Sequence, residues 1–127
     1  MNADRKVLLV EDEVLVAALA VDALEELGYG SIEATTAKGA REVASSATQL
    51  AFAVIDVGLP DGRGDALALE LRGVRPDLPI IIATGYDGAH LDERLRQHPN
   101  TAVLGKPYDI AQLQAAIKSI TRTIGTE

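Results

Sequence analysis

Cysteine is absent from the 127-residue chain, and aromatic residues make up only 3% of it. A chain without cysteine has neither disulfide bonds nor thiolate ligands for a metal. Positive charge is scarce as well: 12 lysines and arginines stand against 19 acidic residues, and the formal net charge is −7. A surface that binds nucleic acid needs clustered basic side chains to neutralise phosphates. We therefore expect no nucleic-acid partner.

Long apolar runs are also lacking. Apolar residues make up 47% of the chain, but none of their runs approaches the ~20 residues of a membrane-spanning helix. The first six residues lead directly into the apolar run 7–10, without the longer apolar stretch and small-residue cleavage site of a signal peptide. Together with the lack of cysteine, these features predict a cytoplasmic chain with no membrane partner. The length predicts a single domain over residues 1–127.

The sequence does contain a regular alternation of strand and helix patterns. Short apolar segments typical of buried parallel strands lie at 6–10, 31–35, 51–55, 80–83 and 101–104. Each is followed by a helical pattern: from 14 to a stop at Gly28, at 37–48, at 66–73, a short or mobile helix within 89–98, and a last helix from 110. This alternation predicts an α/β fold with a doubly wound parallel sheet covered by helices on both faces.

Two acidic residues are placed to cap helices, Asp12 for the first and Asp109 for the last. Apolar residues recur at helical spacing in both helices, and we expect them to face the core. They are Val14, Ala17, Ala18, Val21 and Leu24 in the first helix, and Ile110, Leu113, Ile117 and Ile120 in the last.

Polar residues stand where four of the predicted strands end. Glu11 and Asp12 follow the first strand, Asp56 the third, Thr84 the fourth and Lys106 the fifth. Parallel strands place their carboxyl ends at one edge of the sheet, where such folds bind ligands, so we expect these side chains to converge. Converging carboxylates repel each other unless a cation is present, and an oxygen-rich site of this kind suits Mg²⁺. The set contains acids that could bind a metal, a carboxylate that could attack, and two donors that could bind an anion. Such a set fits phosphoryl transfer.

The same residues lie in a series of short motifs: Leu-Val-Glu-Asp-Glu (9–13), Val-Ile-Asp (54–56), Leu-Pro-Asp (59–61), Ala-Thr-Gly (83–85) and Lys-Pro-Tyr (106–108). In this order and at these separations, the chain resembles the receiver domains of response regulators in two-component signalling systems, the chemotaxis-regulator-like domains, over essentially its whole length. The resemblance implies a flavodoxin-like, five-stranded sheet of strand order 2-1-3-4-5 with five helices.

The resemblance also implies roles for single residues. Asp56 would be the phospho-acceptor and a ligand of Mg²⁺. Asp12 would bind the metal directly, Glu11 directly or through water, and Gly58 through its backbone carbonyl. Two further residues would act on the phosphoryl group: Lys106 would bind its oxygens, and the hydroxyl of Thr84 would move toward it as a switch. The bond between Lys106 and Pro107 is expected to be cis, as is typical of the family.

For function, the resemblance implies a phosphoprotein that receives its phosphoryl group from a sensor histidine kinase, a histidine phosphotransfer protein or a small phosphodonor. The acyl phosphate would then change the surface of the fourth helix, fifth strand and fifth helix, where a downstream protein would bind. The domain would catalyse only its own phosphorylation and dephosphorylation, as a switch with a timer and not a turnover enzyme. The start at Met1 favours a stand-alone regulator, although a piece of a hybrid kinase or longer regulator stays open.

The chain departs from the family pattern at the switch. Many members have an aromatic residue on the fifth strand, three positions before the lysine, where this chain has Val103. The turn 82–86 resembles that of a subgroup, often stand-alone, with a Phe-Ala-Thr-Gly-aromatic signature, but Ile82 replaces the phenylalanine. We hypothesise that Tyr86, close to Thr84, takes part in the switch.

Three other kinds of protein could share this fold. A flavodoxin-type protein would need a glycine- and hydroxyl-rich phosphate loop where this chain has three acids at 11–13. A hydrolase of the haloacid dehalogenase type would need an acid two residues after the nucleophile, where this chain has Gly58. A receiver-like binding module that works without phosphorylation is the remaining alternative. Each polar residue alone also has a simpler explanation, as a helix-terminal acid, a turn or a solvated lysine, and Asp61 is given only a turn role.

Overall fold

The computed structural model describes residues 6–46, 48–85, 91 and 93–125, with the side chains of all these except Arg96 and 121–125. The strands are β1 (Lys6–Val10), β2 (Gly30–Ala34), β3 (Leu50–Asp56), β4 (Gly58–Leu59), β5 (Gly62–Arg63), β6 (Ile80–Thr84) and β7 (Thr101–Gly105). The helices are α1 (Val14–Glu26), α2 (Ala37–Ala44), α3 (Gly64–Val74), α4 (Glu93–Arg96) and α5 (Ile110–Gly125).

Five strands form one parallel sheet in the order β2-β1-β3-β6-β7. Strands β4 and β5 form a separate antiparallel hairpin directly after β3. Counted over the large sheet alone, the order is 2-1-3-4-5. The predicted α/β, doubly wound architecture is therefore confirmed, and it places the carboxyl ends of all five strands at one edge.

The strands are apolar throughout because both faces of the sheet are covered. Val7 and Leu9 of β1 belong to a cluster that includes residues of α1 and α5. Leu8 and Val10 of the same strand point to the other face, where the cluster includes residues of α2 and α3. Burial on both faces explains why these strands read as continuous apolar runs and not as alternating ones.

Helix α1 differs from its prediction at the start. Val14 is 85% exposed and Ala18 is also exposed, while Ala17, Ala20 and Leu24 are buried, so the expected inward stripe was wrong at its first and third members. The predicted cap was wrong as well. Glu13 and not Asp12 occupies the N-cap position, and within the described part of the chain no side chain caps this helix. Gly28 ends the helix as predicted, with a positive φ of 96° that favours glycine.

Contacts from outside α2 set both of its ends. The helix ends at Ala44, four residues earlier than predicted, because the Arg75 guanidinium binds the carbonyl oxygens of Ala44, Ser46 and Thr48 at 2.7–3.0 Å. Of these three carbonyls, that of Ala44 is the one that a helix reaching Thr48 would have bonded to the Thr48 amide. The first turn of α2 is held by the Asp61 carboxylate, described below.

The other helices begin and end close to the predicted residues. In α5 the Asp109 carboxylate accepts from the Gln112 amide at 2.8 Å, and the Gln112 side chain accepts from the Asp109 amide at 2.9 Å, which confirms the predicted cap as a reciprocal capping pair. Helix α4 is short, as expected. Of the helices in the described ranges, none is long and apolar enough to cross a membrane.

Candidate functional site

The parallel register brings the polar strand ends together. Asp56 is the last residue of β3 and lies beside Ala83 of β6, whose neighbour Thr84 is paired with Gly105 of β7. Glu11 directly follows β1, which lies on the other side of β3. The fold thus places four strand ends at one edge of the sheet, as the sequence predicts.

Three carboxylates form a tight group at this edge. Glu11, Asp12 and Asp56 each offer an oxygen, and these oxygens lie within 4.8 Å of one another. Glu11 and Asp56 are buried, with 5% and 7% exposure, whereas Asp12 is exposed. Buried carboxylates this close together need a neighbouring cation. An all-oxygen donor set with one open, exposed member fits Mg²⁺, which binds through a few carboxylates and keeps several waters.

Lys106 supplies the positive charge of the site. Its Nζ lies 3.2 Å from Oδ1 of Asp56 and 3.3 Å from Oε1 of Glu11, and Oε1 of Glu13 is 4.0 Å away. Burial lowers the pKa of the Lys106 ammonium, but the hydrogen bonds and charges of Asp56 and Glu11 outweigh this effect, so its pKa is raised from the ordinary value. The ammonium therefore stays charged and ties the two buried carboxylates together.

Glu11 is held in place from two sides. Its Oε2 accepts a hydrogen bond from the backbone N–H of Glu13 at 3.1 Å, and its Oε1 faces Lys106. Burial raises the pKa of the Glu11 carboxyl, with a further increase from the charge of Asp56, although the Glu13 amide and Lys106 oppose the change. A divalent cation would favour the ionised form of this carboxyl, as it would at any acidic ligand.

The remaining predicted residues lie around this centre. Thr84 is buried, with 4% exposure, and its carbonyl oxygen accepts from the Lys106 amide at 2.7 Å. The peptide bond between Lys106 and Pro107 is cis, as predicted. Gly58 is exposed and begins β4, two residues after Asp56. Tyr86 lies outside the described residues, so the hypothesis about its role stays a prediction.

The loop after Asp56 depends on a glycine that was not singled out from the sequence. The Gly64 amide donates to the Val57 carbonyl oxygen at 2.7 Å, which closes the base of the β4–β5 hairpin. A Cβ atom at Gly64 would overlap the backbone carbonyl of Asp56. Only glycine allows this approach. The three glycines within residues 58–64 were a signal in the sequence, but the sequence does not tell which of them lies against the Asp56 backbone.

Asp61 is the second residue whose role sequence reasoning missed. Its Oδ1 accepts from the Ala37 amide at 2.8 Å and its Oδ2 from the Lys38 amide at 3.1 Å. The hydrogen bond from Ala37 is the main cause of the lowered pKa of the Asp61 carboxyl, although burial opposes it. A residue assigned only to a turn thus joins the loop after Asp56 to helix α2.

A small apolar cavity of about 300 Å³ adjoins the site on the α1 side. It is lined by Val16 and Leu19 of α1 and by Lys106, Pro107 and Tyr108. Tyr108 is half-buried against the α1–α5 core, and burial together with the charge of Glu11 raises the pKa of its phenol. The outer side of α1 continues the apolar surface, with Leu15 76% and Leu19 66% exposed.

The chain is similar to proteins of known type over nearly its full length. The profile of the response regulator receiver domain matches residues 7–118. The transcriptional regulatory protein PmrA of Pectobacterium parmentieri is 34% identical over 119 residues, which cover 92% of this chain and 52% of that protein. The sensor kinase CckA of Brucella abortus (strain 2308) is 31% identical over 121 residues, or 94% of this chain and 13% of the kinase.

The fold is also shared with solved structures. A CheY-like response regulator receiver domain protein from Methanospirillum hungatei JF-1 superposes with a TM-score of 0.76 at 27% identity, over 90% of both chains. The chain therefore spans about half of one curated relative, a small part of another and nearly all of a receiver domain. Motifs, sheet order and family match agree, and the chain belongs to the response regulator receiver domain family of two-component signalling systems.

Proposed function

We propose that Asp56 is the phospho-acceptor of this receiver domain. The observation that carries the proposal is the position of its buried carboxylate, within the group of three acids and 3.2 Å from the Lys106 ammonium. A carboxylate oxygen of Asp56 attacks phosphorus, the bond to the donor breaks with its electron pair going to the donor, and an acyl phosphate remains on Asp56. Most of the catalysis in such a transfer comes from positioning and from neutralising charge.

Mg²⁺ is the proposed cofactor. Asp12, Asp56 and Glu11 would hold it, the last directly or through water, with the carbonyl of Gly58 as a further ligand. When bound, the ion neutralises negative charge on the phosphoryl oxygens. The fit rests on the chemistry of the donor set, since three carboxylate oxygens within 4.8 Å of one another match a hard cation.

Lys106 and Thr84 are the proposed partners of the phosphoryl group. The Lys106 ammonium would exchange one of its carboxylate partners for a phosphoryl oxygen, which keeps its charge compensated throughout. The Thr84 hydroxyl, buried at the end of β6, would donate to a second oxygen. Because the Thr84 carbonyl is bonded to the Lys106 amide, a shift of one residue acts on the backbone of the other. This link suits a switch that senses the acyl phosphate.

The donor would be a phosphohistidine of a sensor histidine kinase or a histidine phosphotransfer protein, partners with which receiver domains interact. The apolar surface of Leu15, Leu19 and Pro107 lies beside the acceptor pocket and supports this assignment. Such a surface on a chain of net charge −7 favours a partner that buries apolar area over nucleic acid.

The output would pass through the face formed by α4, β7 and α5, where a downstream protein would bind. Val103 of β7 is 43% exposed on this face, at the position where many family members have the aromatic switch. Residues 1–127 would form a single receiver domain in the cytoplasm, with no nucleic-acid or membrane contact of its own. It would catalyse only its own phosphorylation and the later hydrolysis of the acyl phosphate.

The proposal is tested by incubating the protein with acetyl phosphate, with and without Mg²⁺, and measuring intact mass. We expect one added phosphoryl group that requires Mg²⁺ and is lost in Asp56→Asn. The matched control is Asp77→Asn, which makes the same change in an exposed carboxylate at the opposite end of the sheet. If the wild type gained nothing from acetyl phosphate or from any kinase, a receiver-like binding module that works without phosphorylation would replace this proposal.

A further inference from the structure

We propose that Asp61 is a positioning residue that couples the Mg²⁺ site to helix α2. This inference rests on the proposed function, because it concerns the order of the loop that follows the acceptor. The loop comprises residues 57–63, and it includes Gly58, the proposed carbonyl ligand. Asp61 lies at the tip of that loop and reaches a helix that precedes it by 23 and 24 residues in sequence.

Both carboxylate oxygens of Asp61 accept hydrogen bonds at the start of α2. The amides at the beginning of a helix have no partner within the helix. Thr36 satisfies the Gly39 amide at 3.0 Å, as a local cap does. The amides of Ala37 and Lys38 are instead satisfied by the two oxygens of Asp61, at 2.8 and 3.1 Å. The first turn of α2 therefore depends on a residue of the acceptor loop.

The loop itself is tightly closed, so that its two ends are coupled. Gly58 pairs with Arg63 and Leu59 with Gly62 in the β4–β5 hairpin, and the bond from Gly64 to Val57 closes the base. The side chains of Val57 and Leu59 also pack on the core cluster shared with α2 and α3. A hairpin held at its base and at its tip has little freedom, and Gly58 lies between those two points.

The consequence is a mutual dependence of metal binding and helix order. When Asp61 loses its carboxylate, the tip of the hairpin is released and the Gly58 carbonyl is no longer held in one place. Mutation of a residue that orients a metal ligand typically lowers the metal affinity by about tenfold or more. By linkage, an ion that orders the loop must also strengthen the Asp61 contact to α2 by the same factor.

The experiment compares three variants of the full chain: Asp61→Ala, Asp61→Asn and Thr36→Ala. Thr36→Ala is the matched control because it removes the other cap of α2 and leaves the loop untouched. Mg²⁺ is titrated in each variant and followed by amide NMR shifts, and amide hydrogen exchange is measured with and without Mg²⁺. We expect Asp61→Ala to weaken Mg²⁺ binding by about tenfold, with Asp61→Asn in between and Thr36→Ala unchanged.

In the wild type we expect Mg²⁺ to slow exchange at the Ala37 and Lys38 amides, and this slowing should be smaller in Asp61→Asn, which keeps one acceptor oxygen, and absent in Asp61→Ala. Equal Mg²⁺ affinity in all variants that fold, or exchange at these amides that ignores Mg²⁺, would show Asp61 to be only a helix cap and overturn the inference while leaving the proposed function intact. If the wild type bound no Mg²⁺, the proposed function and this inference would fall together. Even where Asp61→Ala does not fold, the exchange measurement on the wild type tells whether Mg²⁺ binding is coupled to the start of α2.

Discussion

Lys106 is the residue on which the charge balance of the site depends. Its ammonium lies within 3.3 Å of oxygens of both Asp56 and Glu11, and those are two of the three carboxylates proposed to hold Mg²⁺. The two cations therefore share their anionic partners. Under the proposed function, the charge of Lys106 would oppose metal binding and would also assist phosphoryl transfer.

Lys106→Met should separate these two effects. With the competing ammonium removed, we expect Mg²⁺ to bind up to about tenfold more tightly, which corresponds to about 1.4 kcal/mol. Phosphorylation by acetyl phosphate should slow by about tenfold or more, because the phosphoryl oxygens lose a charge partner. An Mg²⁺ titration and a time course of intact mass measure the two. Lys118→Met on the exposed side of α5 is the control, and weaker Mg²⁺ binding in Lys106→Met would contradict this account.

Gly64 allows a second prediction, about the backbone of the acceptor. In Gly64→Ala the new methyl group would overlap the Asp56 carbonyl, so we expect a loss of about 1–3 kcal/mol in the free energy of unfolding. Gly73→Ala, in the same helix, is the matched control. A Cβ atom there would meet no atom of the described residues within 4 Å, and the change should stabilise the protein by about 0.5–1 kcal/mol. Urea unfolding measures both, and equal stability of the two variants would contradict the close approach.

The sequence predicted the five converging side chains because each stands at the end of a recognisable strand. It could not identify Gly64 or Asp61. Which of several glycines touches the Asp56 backbone depends on how α3 leaves the hairpin. That Asp61 reaches α2 depends on the packing of two elements distant in sequence. Contacts of this kind leave no periodic pattern, so local reasoning gave Asp61 only a turn role and did not single out Gly64.

At the level of elements, the loop from Asp56 to Gly64 and helix α2 form one unit joined by Asp61. The folded state lowers the pKa of the Asp61 carboxyl below its ordinary value of 3.8, chiefly through the hydrogen bond from the Ala37 amide. A lowered pKa means that the ionised form is favoured by folding. Its contribution to stability is therefore present above pH 3.8 and is lost as the pH falls through the folded-state pKa.

This sign gives a test by acid titration. The melting temperature of Asp61→Asn should lie below that of the wild type at neutral pH, and the difference should shrink once the pH falls through the lowered folded-state pKa of Asp61, because the wild-type carboxyl then becomes neutral as well. Melting curves across this range measure it. Asp77→Asn, in the exposed turn before β6, serves as the control. A difference that stayed constant with pH would mean that the charge of Asp61 does not support the fold.

The existence of each element was predictable, and its ends were not. Apolar strand runs and helical spacing predicted the five strands of the large sheet and the five helices of the described residues. The ends of α2, however, are set by Asp61 and Arg75, which lie in other elements. The inward face of α1 was misjudged, because the helix turns Ala17, Ala20 and Leu24 to the core and leaves Val14 and Ala18 exposed. Tertiary contacts, and not local propensity, decide such boundaries.

At the scale of the whole molecule, the groups proposed for phosphoryl transfer and the surface proposed to bind the donor lie side by side but differ in character. The acceptor pocket is charged and buried, whereas the neighbouring surface of α1 is apolar and exposed. Under the proposed function, a small phosphodonor would need only the pocket, whereas a protein donor would need both the pocket and the apolar surface. The relatives of the chain include a sensor kinase and a transcriptional regulatory protein.

Leu15→Asp should therefore affect one kind of donor only. Leu15 is 76% exposed, so we expect little change in melting temperature and unchanged phosphorylation by acetyl phosphate. Transfer from a histidine kinase that phosphorylates the wild type should fall by about tenfold or more, because a charge is placed in an apolar interface. Val74→Asp, on the exposed side of α3, is the matched control. Equal rates of transfer from the kinase to both variants would show that α1 is not part of the donor interface.

The most direct measurement of the central claim locates the phosphoryl group. The protein is treated with acetyl phosphate and Mg²⁺, the acyl phosphate is reduced with borohydride to an alcohol, and the digested chain is sequenced by mass spectrometry. We predict that the reduced side chain is found at Asp56, that it is not found without Mg²⁺, and that Asp12 and Glu11 remain carboxylates. Reduction at another residue, or at none while the protein is otherwise folded and binds Mg²⁺, would contradict the assignment of Asp56 as the acceptor.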